Sequence, residues 1–177
     1  MINRMSHQLA AAFALAALVV LSACGGGGGG TIEPGDRVGE MVVTTGVSQS
    51  PGIFEFCPPI VLKPGVYSRE CTVPAVPQLF IGYGTFEKTT TALDREWNAD
   101  AKSWQAFLDS RKVDLASFGT MPDRSFYEAS VGASVVLREW NVSLVEPAPG
   151  EHTLRYVVGV KDPVDITWTF TVQGGRR

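Results

Sequence analysis

Histidine is scarce in this chain: two occur in 177 residues, His7 and His152. So few imidazoles, with no thiol cluster beside them, argue against a transition-metal site. The three cysteines include no Cys-x-x-Cys pair, so neither a redox motif nor a zinc knuckle is supported. There is no basic surplus, since 15 Lys+Arg stand against 18 Asp+Glu. That excludes a basic nucleic-acid binder, which must neutralise phosphates. Charged residues are only 19% and hydrophobic residues 45%, which excludes a disordered polyelectrolyte. No Gly-x-Ser-x-Gly elbow exists, because Gly132-Ala133-Ser134-Val135-Val136 lacks the last glycine. No internal repeat is evident. The apolar run Leu9–Leu21 is shorter than the about 20 residues a spanning helix needs.

That run has a different use. Arg4 is the only formally charged residue before Cys24. A positive start, an apolar centre and small residues at the exit describe a secretory signal peptide. The exit, Leu21-Ser22-Ala23-Cys24, resembles the lipobox of bacterial lipoprotein precursors. The resemblance implies that residues 1–23 are removed and that the Cys24 sulfur carries a diacylglyceryl group. It also implies an acylated Cys24 amino group, with fatty chains such as palmitate. Two or more such chains anchor stably, at about 0.8 kcal/mol per buried CH₂. The expected location is the bacterial cell envelope, facing the periplasm or the exterior, with the membrane as a partner through the lipid.

Gly25–Gly30 follow the cysteine. With no side chains to bury, they form a flexible tether, residues 24–30, spanning on the order of 13 Å. No strand pattern precedes them and no helix pattern follows, so they cradle no phosphate. The remaining cysteines, Cys57 and Cys71, are an even pair in an exported chain, where disulfides persist. A loop near 15 residues contributes about 3 kcal/mol in the chain-entropy picture.

Residues 31–177 suit one domain. After loss of Arg4 the balance is 14 basic against 18 acidic residues, a charge of −4. Ile166, Trp168, Phe170 and Val172 alternate with threonines, the signature of a half-buried strand. Leu154, Tyr156, Val158 and Val160 form a similar series. Pro147-Ala148-Pro149-Gly150 separates it from an expected strand at 134–145, on which Val136, Trp140, Val142 and Leu144 share a face. These three strands are expected to form a meander.

Upstream, Trp104, Ala106 and Leu108 alternate before a turn at Asp109-Ser110-Arg111-Lys112. Further strands are expected at 38–45 and 79–82. The stretch 51–77 holds six prolines, which excludes a helix or a central strand there. Leu93, Trp97 and Ala101 stand at i, i+4 and i+8, making 89–103 the one plausible helix, with a long loop as the alternative. The overall expectation is a mainly β, antiparallel β-sandwich. Pro149-Gly150-Glu151-His152-Thr153-Leu154-Arg155-Tyr156 resembles the start of the penultimate strand in bacterial immunoglobulin-like domains. That resemblance implies a single immunoglobulin-like sandwich, although the cysteines lie outside the position of an inter-sheet bridge.

Chemistry is sparse. His152 is the one histidine of residues 24–177 and is expected at a strand edge or surface. Asp109 with Asp114, and Asp162 with Asp165, sit close in loops and leave calcium open, although their spacing is not that of an EF-hand. Trp104, Trp140 and Trp168 fall on expected core faces. Tyr83, Trp97, Phe126 and Tyr127 fall in loops or the uncertain helix, and Tyr83, Trp97 and Tyr127 are the candidate ligand-binding rings. The expectation is an envelope lipoprotein without a catalytic residue, metal or cofactor, whose sandwich binds or scaffolds a protein or glycan. A carbohydrate-binding module is the alternative, followed by a carboxylate-based hydrolase.

Overall fold

A computed structural model describes residues 30–46, 50–57, 63–159 and 163–175. Cys24, the expected signal segment 1–23, Gly25–Gly29, Val160 and Asp162 lie outside the described residues. The elements are β1 (Arg37–Val38), β2 (Met41–Thr44), β3 (Gly65–Val73), β4 (Gln78–Phe80), β5 (Gly84–Glu87), α1 (Thr90–Ala99), β6 (Gln105–Leu108), β7 (Arg111–Val113), α2 (Leu115–Phe118), β8 (Arg124–Glu128), β9 (Ala133–Glu139), β10 (Ser143–Val145), β11 (Gly150–Val158) and β12 (Val164–Val172). Single 3-10 turns occur at Ile53–Glu55 and Ala101–Ser103.

The chain is mainly β, and its sheets pack in a sandwich-like arrangement. One sheet has the order β3-β12-β11-β6-β7, the second β1-β2-β10-β4, and an outer sheet β5-β9-β8. Alternation dictates the packing. Ile166, Trp168, Phe170 and Val172 are all buried, as are Leu154, Tyr156 and Val158 on β11 and Ala106 and Leu108 on β6. Met41, Val43, Leu79 and Leu144 supply the second sheet's share of the same core. The buried Tyr156 hydroxyl donates to the Ile81 carbonyl at 3.0 Å, which satisfies its one polar group across the core. Burial raises the Tyr156 pKa.

The β6–β7 hairpin turns at Asp109 and Ser110, with φ of 47° and 66°, the two positive angles of a type I′ turn. Thr89 caps α1, its Oγ1 accepting from the Ala92 N–H at 3.2 Å. Leu93 and Trp97 of α1, and Ala101 beyond it, are buried as their spacing requires.

Four expectations need correction. The stretch 38–45 is a hairpin, because Gly39 at φ +59° lets the chain turn back between β1 and β2. The stretch 134–145 divides into β9 and β10 in different sheets, and Val136, unlike Trp140, Val142 and Leu144, is not buried. No meander forms, since β10 pairs with β2 and β4 while β11 pairs with β12 and β6. Finally, the nine-residue β3 lies between Pro64 and Pro74 and pairs in parallel with β12, so the sandwich is mixed. It is an edge strand, which the flanking prolines permit.

Cys57 and Cys71 form a disulfide with Cα atoms 5.2 Å apart, tying the turn after Ile53–Glu55 to β3. Among the described residues no helix is long and apolar enough to cross a membrane.

Candidate functional site

The outer sheet is carried out of the sandwich by one bent ribbon. Phe80 faces Ser143 in the β4–β10 ladder, and Gly84 faces Glu139 in the β5–β9 ladder. Both ladders keep the same register. Between them Ile81 N–H donates to the Val142 carbonyl at 2.9 Å, and Trp140 N–H donates to the Tyr83 carbonyl at 3.0 Å. The bend requires glycine. A Cβ on Gly82 would stand 1.9 Å from the Trp140 carbonyl oxygen, and one on Gly84 would stand 2.1 Å from that of Arg138.

Helix α1 is fastened to this sheet by Arg138 of β9. Its guanidinium donates twice to Asp123 at 2.7 Å, pairs with Asp94 of α1 at 2.9 Å and lies 5.7 Å over the Trp97 ring. The Asp123 hydrogen bond raises the Arg138 pKa. The Arg138 hydrogen bond lowers that of Asp123, against the opposing effect of burial.

Between the outer sheet, α1 and the end of β11 lies a cavity of about 620 Å³. Strand alternation puts Phe86, Leu137, Glu139 and Glu128 on its side of the outer sheet. Phe54, Tyr83 and Trp104 supply rings from the sandwich side, and Glu96 and Asp100 reach it from α1 and its C-cap. Tyr83 is the hub, with ring centroids 5.5 Å from Phe54, 5.7 Å from Trp104 and 5.4 Å from Tyr156. Burial pushes the Tyr83 pKa up to about 12, so it stays a phenol at physiological pH.

Three of the four carboxylates are engaged. Asp100 Oδ2 accepts from Trp104 Nε1 at 2.9 Å, Glu139 Oε2 pairs with Arg124 at 3.0 Å, and Glu128 Oε1 accepts from the Ser130 hydroxyl at 2.7 Å. The Ser130 bonds lower the Glu128 pKa. Among the described residues the Glu96 carboxylate has no hydrogen-bond or ion-pair partner. A second cavity of about 650 Å³ shares Phe54 and Glu139 with the first and runs past Phe80, Asp123 and Arg124.

Of the sequence-derived ring candidates, Tyr83 lines the first cavity. Trp97 is buried at 4% exposure, 4.7 Å from the Trp140 ring, so it packs and cannot stack on a ligand from solvent. Tyr127 is 68% exposed on β8 and lines neither cavity. Phe126 also lies on β8, edge-on to Phe86. Phe54, Glu96, Asp100 and Glu139 escaped the sequence reading because three separated segments bring them together. Only the i, i+4 spacing of Glu96 and Asp100 beside the buried Trp97 signalled a shared helical edge.

His152 is half-buried, with Nδ1 2.9 Å from Asp109 Oδ2 and Nε2 2.9 Å from the Ala148 carbonyl oxygen. Asp109 Oδ1 also accepts from Thr153 N–H at 2.8 Å. Arg155 donates twice to Asp165, at 2.7 and 2.6 Å. These contacts occupy Asp109 and Asp165 of the two calcium-candidate pairs with structural partners. No group of three or more metal-ligating side chains occurs among the described residues.

No family model matches the chain, and no curated protein matches it. Among solved structures it aligns with the solution structure of amebosin at 10% identity, over 63% of this chain and 100% of that one, with a TM-score of 0.26.

Proposed function

We propose that this chain is an extracytoplasmic lipoprotein of the bacterial cell envelope, held to a membrane through lipidated Cys24 and presenting a non-catalytic, immunoglobulin-like binding domain. The observation that carries the anchor is Leu21-Ser22-Ala23-Cys24 at the exit of an apolar leader, followed directly by a glycine tether. The Cys57–Cys71 disulfide fits an oxidising compartment. Neighbour order supports the immunoglobulin-like type: β6-β11-β12 follow the C-F-G pattern, and β4 beside β10 follows B-E. The departures are β2 in place of the fourth strand, β3 running parallel beside β12, β7 added beyond β6, and the inserted outer sheet. The aromatic cavity supports a binding role, being concave, largely apolar and edged by a few polar groups.

The anchor is tested by expressing the full chain and Cys24→Ala in a bacterium and fractionating the envelope. The parent chain stays with the membrane, and intact-mass spectrometry shows residue 24 acylated. The variant moves to the soluble fraction. Equal membrane association of both proteins overturns the anchor.

A further inference from the structure

Resting on the binding role above, we propose that the 620 Å³ cavity is a site for an organic cation with an apolar or aromatic body, such as a quaternary ammonium or a protonated arylalkylamine. Two independent features of its wall define that class. The first is aromatic. Phe54, Tyr83, Trp104 and Phe86 contribute ring surface, and Tyr83 sits within 5.7 Å of both Phe54 and Trp104. Clustered rings bury an apolar body and present their negative faces to a cation within about 6 Å.

The second is the sign of the charge. Every ionisable carboxyl or amine side chain lining the cavity is a carboxylate, and no Lys, Arg or His lines it. No Asn or Gln lines it either. Four carboxylates outnumber the three lining hydroxyls, those of Tyr83, Thr85 and Ser130, and the Ser130 hydroxyl already donates to Glu128. The wall therefore favours a ligand that donates or carries positive charge. A sugar, whose hydroxyls both donate and accept, finds few side-chain donors there, chiefly the Tyr83 and Thr85 hydroxyls. An anion is disfavoured by the Glu96, Asp100 and Glu128 carboxylates, since Arg124 offsets only Glu139.

Glu96 is the group with capacity to spare. It sits on α1 one residue before the buried Trp97, and its carboxylate has no partner among the described residues. Asp100, one turn further on, is oriented by the Trp104 indole. The cavity thus offers a ring-lined interior with an unpaired carboxylate on one rim.

The test is isothermal titration of the full chain, purified in neutral detergent, with benzyltrimethylammonium chloride, benzyl alcohol, sodium benzoate and chitohexaose. The cation binds saturably at one site, and added salt weakens it. Benzyl alcohol and benzoate give no saturable heat. Glu96→Gln, on an exposed helix surface, weakens the cation about threefold, the scale of one rim charge. The proposal is overturned by no cation binding, by equal binding of benzyl alcohol, or by unchanged affinity in Glu96→Gln. Chitohexaose binding without cation binding overturns the ligand class and leaves the binding role standing. The membrane anchor is decided separately, by the Cys24→Ala fractionation.

Discussion

His152 holds an unusual position for the one histidine among the described residues. Both ring nitrogens face acceptors, the Asp109 carboxylate and the Ala148 carbonyl, each at 2.9 Å. Only the imidazolium has a proton for both. The Asp109 hydrogen bond raises its pKa, burial opposes the shift, and the Ala148 contact adds to it. A raised folded value means that the stabilisation is fully present below the unfolded value of about 6.5. It is lost as pH rises through the folded value. Urea midpoints between about pH 5 and pH 8 should therefore fall more in the parent chain than in His152→Gln. Parallel curves for the two proteins would show that the ring carries no such coupling. A sequence shows that a histidine starts a strand, but Asp109 lies 43 positions away, and only the β6–β11 pairing brings them together.

At the scale of elements, the bent ribbon decides where the cavity is. Gly82 and Gly84 let the backbones of 80–84 and 138–142 approach too closely for any Cβ. Replacing Gly82 by Ala forces a carbon against the Trp140 carbonyl oxygen, a backbone atom that cannot swing aside. The expected loss is at least about 2 kcal/mol, the range of overpacking, read as a drop in thermal midpoint. An unchanged midpoint would mean that the ribbon can relax. Strands β6, β11 and β12 and helix α1 were readable from periodicity, because each has one buried face and a regular partner. The single strand expected at 134–145 was misread for a physical reason. Val135, Val136 and Leu137 are apolar in succession and mark neither face, and the ladder keeps register while the buried side passes from Val135 to Trp140, Val142 and Leu144.

For the whole molecule, β3 is the weak flank. Val73 is its only fully buried residue, so burial does little to hold it. Its nine-residue parallel ladder with β12 and the disulfide hold it instead. A Cys57→Ser/Cys71→Ser protein should lose about 3 kcal/mol, as expected for a closed loop near 15 residues, measured by urea unfolding. Hydrogen exchange should quicken most in β3 and least in β11, which is paired on both sides. Uniform quickening would place the bridge's effect on the unfolded chain alone.

Local chemistry decided a good deal of this protein without tertiary help. Cysteine count and the expectation of export led to the 57–71 bridge, period-two burial led to a mainly β body, and Asp109-Ser110 to a tight turn. These follow from nearest neighbours and from the pleat, which act over a few residues. The tertiary structure alone decided that β3 runs parallel at an edge, that a ribbon bends outward at two glycines, and that Phe54, Tyr83, Glu96 and Trp104 meet around one cavity. Those outcomes depend on contacts between distant segments, whose closure no local pattern encodes.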